Sequence, residues 1–196
     1  MEIKLKDTVA LPAPRMDGGM PLMAALAARH STREFSPREI PQQVLGDLLW
    51  AACGVNRLRT GGRTAPSARN WREIDIYAAS AAGLHRYVPE AHRLQLVART
   101  DLRAASGMQE FAGTAPLDLV YVADLARVDA ADPVERRFYC AADAAFIAQN
   151  VYLFCASAGL ACVVRGALNR SGLAQAMHLG KRQRVILAHT VGYAAD

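Results

Sequence analysis

Four segments of this chain gather residue types that could hold an anionic, ring-bearing ligand. The first is Arg29-His30-Ser31-Thr32-Arg33. Two guanidiniums and two hydroxyls within five residues can surround a phosphate, because guanidinium forks make charge-assisted bonds and hydroxyls add donors. The same residues would also suit a solvated helix end. The second is Pro66-Ser67-Ala68-Arg69-Asn70-Trp71. Its small residues let backbone approach a flat ligand, and Asn70 offers a donor and an acceptor to a ring edge; an ordinary turn has the same composition. The third is Val164-Arg165-Gly166-Ala167. Its backbone amides could face a ring system, or it could be a plain strand-to-helix turn. The fourth is Arg182 and Arg184, a cation pair that also reads as a solvated charge cluster.

Other chemistries have no foothold. GxGxxG, P-loop and GxSxG patterns are absent. The four cysteines form no CxxC pair and the five histidines no HExxH, so no metal is inferred. No side chain is assigned as a catalytic acid, base or nucleophile.

One long element must position these segments. In DPVERRFYCAADAAFIAQNVYLFCASAG, Asp132 is a helix N-cap, Pro133 suits the first helical position, and Glu135 completes a capping pattern. Gly159 ends the helix, since glycine enters the left-handed C′ conformation without steric cost. The predicted helix, Pro133 to Ala158, is roughly 39 Å long at 1.5 Å per residue. It is apolar on every side, which predicts burial on every side. Asp143, Asn150 and Ser157 form one thin polar line seven apart. Ala141, Ala144, Ala145 and Ala148 would let another helix approach, and the length suggests a helix shared between two subunits. A membrane span is the rival reading, disfavoured because Asp143 costs about 3 kcal/mol at a bilayer centre.

The remaining elements follow from period and punctuation. Residues 1–20 read as an extended arm laid over a partner. Helices are expected at Leu22–Arg29, Ile40–Cys53, Asp101–Phe111 and Ser171–Leu179, and a polar loop at Gly54–Asn70. Strands are expected at Glu73–Ala79, Leu117–Ala123, Ala161–Val164 and Val185–Val191, with a hairpin of Leu84–Val88 and Leu94–Val97. This pattern predicts a single α+β domain over 1–196, with a mixed, mostly antiparallel sheet flanked by helices.

At 196 residues, 52% hydrophobic and 21% charged, the chain is globular. The net charge is +5, and only 3 of the 23 basic residues are lysine. The cations are scattered and not interleaved with aromatics, so an arginine-rich background or an anionic small ligand accounts for them better than nucleic acid. No charged n-region followed by an apolar run opens the chain, so a cytoplasmic protein is expected.

RHSTREF after the first helix, LLWAACGVNR closing the second, RTAPSARNW before the first main strand and ASAGLACVVRG at the end of the long helix occur in this order. Together they resemble the FMN-dependent nitroreductase superfamily, over about Leu22 to Tyr193. The chain is most similar to its short branch, which includes the SagB-type dehydrogenases. The resemblance implies an obligate homodimer with two FMN molecules at the dimer interface, reduced by NADH or NADPH. It implies that Arg29 and Ser31 hold the phosphate and ribityl chain with His30 nearby, and that Arg33 approaches the pyrimidine edge. Pro66, Ser67, Ala68 and Asn70 would come from the other subunit, and Val164, Arg165, Gly166 and Ala167 would lie against the ring. Relatives often carry a basic residue beyond the last strand that grips the phosphate; here Arg182 or Arg184 would substitute. The implied reaction is ping-pong hydride transfer through flavin N5 to nitroaromatic or quinone-like small-molecule acceptors. A SagB-like dehydrogenase and a non-enzymatic flavin-binding protein are the alternatives.

Overall fold

The computed structural model describes residues 7 to 195, so residues 1–6 of the predicted arm and the final Asp196 lie outside it. The centre is β8 (Leu117–Asp124), which is buried on both faces. Its side chains alternate between two cores. Leu117, Leu119, Tyr121 and Ala123 enter one, and Val120 and Val122 enter the other. A strand covered on both sides reads as a continuous apolar run, which explains why LDLVYVA gave a strong strand signal.

On one side of β8 lies β5 (Ile74–Ser80), then β6 (Gly83–Val88), β7 (Arg93–Ala98) and the edge strand β1 (Thr8–Ala10). On the other lies β10 (Gln183–Ala194), whose far edge pairs with β9 (Ala161–Arg165) and then β2 (Phe35–Ser36). The described pairs in this sheet are antiparallel, and the short turns joining β5 to β6 and β6 to β7 allow no other arrangement for those pairs. One face is covered by α2 (Gln42–Cys53) and by α4 (Pro133–Ala158). The other is covered by α5 (Arg170–Ala176) with Leu102. The short α1 (Leu22–Ala28) lies along α4.

The ends of α4 are those expected. Asp132 accepts from Val134 N at 2.8 Å, and Gly159 is left-handed at φ 67°. Its burial differs from expectation. Ala144 and Ala148 face the core of their own protomer, whereas Ala141 and Ala145 are exposed, with Val134, Phe138 and Phe146 beside them. One face of the helix is therefore bare. It has the length and apolarity to cross a membrane, but its other face is packed on the sheet and α2 around a buried Asp143.

The arm is placed in part, and two further expectations are corrected. The described part of the arm lies on its own protomer. It adds β1 to the sheet, joins Arg15 to Asp47 of α2 at 2.7 Å, and bonds Met20 N to Ser157 Oγ of α4. The loop at Gly54–Asn70 contains a small hairpin of β3 (Val55–Arg57) and β4 (Gly62–Arg63). The region Asp101–Phe111 is not one helix but a 3₁₀ turn, Ala104–Ser106, and a four-residue helix, α3 (Phe111–Thr114). Gly107 breaks it by adopting an extended conformation.

The side chain of Arg165 occupies the space beside that break. It donates to Ser106 O at 2.8 Å and to Asp118 Oδ1 at 2.7 Å, both partners being buried. Asp118 also accepts from Ser106 Oγ and Thr190 Oγ1. Arg165→Met should leave Asp118 as an uncompensated buried charge and cost about 3–5 kcal/mol. Urea unfolding measures this, and a loss below about 1 kcal/mol would show that the pair is not what locks β9 to β8 and the 3₁₀ turn.

Candidate functional site

Tyr152, on the C-terminal half of α4, joins two of the predicted segments. Its oxygen accepts from Val164 N at 2.9 Å and hydrogen-bonds Ser31 Oγ at 2.9 Å. The guanidinium of Arg29 lies over the same ring, 5.3 Å from its centroid. Thr32 N donates to Cys162 O, which ties the first segment to β9 along its length. His30 Nδ1 donates to Ala28 O, and its ring is exposed with Thr32 at a cleft of about 250 Å³. Nothing in the apolar run NVYLFC distinguishes Tyr152 from a core aromatic, so no local pattern marks this joint.

Around it the electrostatics are one-sided. Arg33 is exposed, Arg29 is half-buried, and neither forms an ion pair among the described residues. Beneath, His189 is buried with Nδ1 bonded to the Tyr121 hydroxyl. Burial, and then the Arg165 charge, push its pKa down to about 3, so the imidazole is neutral. Gly166 and Ala167 are exposed at the end of β9. A Cβ added to Gly166 would meet only Leu187 Cδ2 at 3.9 Å, so the backbone here borders open space. Arg165 offers only its backbone, because its guanidinium is committed to Asp118.

The second segment lies elsewhere. Ala68 N donates to Asp143 Oδ2 at 2.8 Å. Asp143 and Tyr152 are nine residues apart, which is about 14 Å along α4 and about 180° around it. The body of the helix therefore separates Pro66, Ser67, Ala68 and Asn70 from the joint at Tyr152. Pro66 and Asn70 are exposed, and Asn70 Oδ1 accepts from Arg72 Nε at 2.9 Å. Arg69, Asn70 and Arg72 all have positive φ, at 48°, 58° and 52°. Two arginines in that region are strained, a condition that persists where surrounding contacts impose it and that is common at ligand sites.

The fourth segment does not join the first within one protomer. Tyr193 of β10 pairs with Ser36, only three residues beyond Arg33. Arg184 is nine residues back along the same strand, about 30 Å away. Arg182 donates to Leu125 O, and Arg184 to the carbonyls of Lys181 and Gln183. The substitution for a terminal phosphate-gripping residue is thus not met by these two side chains in their own subunit.

Under the second segment sits a carboxyl pair. Glu73, at the entrance to β5, is fully buried beside the carboxyl of Asp143. Burial, with the neighbouring Asp143 adding, pushes its pKa up to about 7. Asp143 is also raised by burial.

The fold is α+β, a sheet with a long helix across one face, with a cationic segment tied to an open glycine turn on one side of that helix and a strained polar segment on the other. The chain belongs to the nitroreductase family, whose model matches residues 26–193. Membership makes it a flavin-dependent oxidoreductase. A solved structure from Ralstonia eutropha JMP134, provisionally described as a nitroreductase, is 49% identical, covers 97% of this chain and 90% of its own, and superposes with a TM-score of 0.93. A protein of Methanocaldococcus jannaschii with the same provisional description is 29% identical over 82% of this chain and 85% of its own length. The NADPH:FMN oxidoreductase of Vibrio harveyi, solved with NAD+, is similar in fold at 20% identity and a TM-score of 0.67, covering 89% of this chain and 69% of that one.

The carboxyl pair sets a pH dependence. A carboxyl whose pKa is raised on folding binds more protons folded than unfolded, so stability falls as pH rises from the ordinary 4.5 through about 7, then levels. Glu73→Gln removes that titration. Its melting temperature should match wild type near pH 4 and exceed it at pH 8. An equal offset at both pH values would show that Glu73 does not titrate in this window.

Proposed function

We propose that the protein is a cytoplasmic homodimeric FMN oxidoreductase that takes electrons from NADH or NADPH and passes them to nitroaromatic or quinone-like acceptors. The joint at Tyr152 carries this reading. It sets the cationic segment Arg29–Arg33 against the open backbone of Gly166. That spacing suits a molecule with a phosphate at one end and a flat ring at the other.

The donor set fits FMN. Arg29 and Ser31 would hold the phosphate and ribityl chain, with His30 beside them. Val164, Arg165, Gly166 and Ala167 would present backbone to the ring. Arg33 would place positive charge at the pyrimidine edge, where reduced flavin is anionic. FMN held there would supply two-electron hydride chemistry at N5 for a ping-pong cycle. The chain's own residues bind, orient and set the local charge; no side chain is given a proton-transfer role.

Pro66, Ser67, Ala68 and Asn70 complete the site from the other subunit, since α4 separates them from their own Tyr152. Ala68 contributes position only, its amide being held by Asp143. Dimerisation would cover the bare face of α4, where Val134, Phe138, Ala141, Ala145 and Phe146 leave an apolar strip open to solvent. Such a strip on a water-exposed face marks an interface, and a twofold axis would pair it with its own copy.

The purified protein should be yellow, with an FMN spectrum that NADH or NADPH bleaches in the absence of air. A protein that holds flavin but is not reduced by either nucleotide would be a flavin-binding protein instead. Ala145 is exposed in the protomer, so Ala145→Glu should leave the subunit folded by circular dichroism. It should also place a charge in the interface at a cost of several kcal/mol, and dimer and colour should be lost together. A variant that remains dimeric and yellow would overturn this arrangement.

A further inference from the structure

The N-terminal end of α4 borders a cavity of about 570 Å³ to which the predicted segments contribute only Arg184. Four arginines line it. Arg136 and Arg137 come from the first turns of α4, Arg170 begins α5, and Arg184 lies at the start of β10. The lining includes no aspartate or glutamate, and none of the four arginines forms an ion pair among the described residues. Glu135, the nearest acid in sequence, turns toward Arg69 instead. Arg136 donates to Ala130 O at 2.6 Å and Arg170 to Ile186 O at 3.0 Å. Arg184 is held by two carbonyls of its own turn. Carbonyl contacts orient these guanidinium groups but neutralise no charge. Arg136 Nε is buried without a partner. The positive end of the α4 dipole adds to the same field.

The floor is apolar, with Leu125, Val185, Ile186 and Leu187. Four cations around one recess with such a floor suit a small organic anion rather than the extended track of a nucleic acid backbone. Leu187 also fixes where the recess lies. It is the side chain that a Cβ on Gly166 would meet, so the cavity adjoins the turn assigned to the flavin ring.

We propose that this cavity binds the anionic group of the enzyme's organic substrate, a carboxylate or phosphate carried on a flat apolar body, and that it selects charged substrates over neutral ones. Its place in turnover rests on the flavin reading above; its affinity for anions does not. The anion has two sources: a carboxylate on the electron acceptor, or the ribose phosphate that distinguishes NADPH from NADH. Both need guanidinium forks beside an apolar surface, and Arg136 and Arg170 provide these from two elements.

Calorimetry on the protein as purified, without reductant, tests this with two matched pairs: 4-nitrobenzoate against its methyl ester, and adenosine 2′,5′-bisphosphate against AMP. Wild type should bind the more anionic member of one pair about tenfold or more tightly, and the preference should shrink as salt is raised from about 20 mM to about 300 mM. The pair that shows the preference identifies the source. Arg136→Gln combined with Arg170→Gln should abolish the preference while flavin content and melting temperature stay at wild-type values. Arg137→Gln, a change at an exposed side chain, should reduce it in a protein whose fold is not in question. Equal binding within both pairs, or a preference that survives in all the variants, overturns the proposal. A protein that carries no flavin would defeat the preceding section and leave the calorimetric comparison able to decide this one.

Discussion

The polar atoms on the packed faces of α4 set the terms for the rest of the molecule. A helix laid across a sheet buries whatever polar groups it carries, and each must find a partner or cost free energy. α4 carries four, and each holds a different element. Asp143 takes the amide of Ala68, Asn150 reaches Ala52 O at the end of α2, Tyr152 joins Ser31 to β9, and Ser157 takes the amide of Met20. The same side chains that make burial of the helix tolerable also fix the two predicted segments, one on each side of it.

Charge is distributed by a similar division. Where the core must contain a cation, its charge is paired, as that of Arg165 is by Asp118. Around the proposed ligand surfaces the arginines at 29, 33, 136, 137, 170 and 184 lack acidic partners among the described residues. Keeping several guanidiniums near one another without carboxylates raises the energy of the empty protein. That cost is recovered when an anion arrives, which makes these positions better suited to binding than to stability. The net charge of +5 is thus less informative than where the unpaired part of it sits.

Much of this was legible in the sequence because it depends on local signals. The Asp132–Pro133 start and Gly159 stop of α4 are properties of adjacent residues, and both ends were placed correctly. The alternation in β8 and the hairpin of β6 and β7 are local in the same sense. The order of the RHSTR, PSARN and VVRG segments was enough to point to the family. Arg165 marks the limit of such reading. It lies in a segment read as ring-facing, yet its side chain points into the core, because Asp118, 47 residues away, and the break at Gly107 leave a space that only a long cation fills.

What the chain alone determined, then, is the set of elements and the segments able to touch a ligand. Tertiary structure decided which of them meet. The polar line of Asp143, Asn150 and Ser157 was visible as a seven-residue spacing, but its partners lie 75, 98 and 137 residues away and no local pattern encodes them. Extended segments have no period that says what they cover, and only the pairing of Val9 with Leu94 shows that the described part of the arm joins the sheet of its own protomer. The arginines at 136, 137 and 170 drew no notice as scattered cations, and only the packing of α4, α5 and β10 turned them into one recess. The helix seemed apolar all round because composition cannot distinguish a face that meets its own sheet from one left open, and that difference is set by the position of the sheet alone.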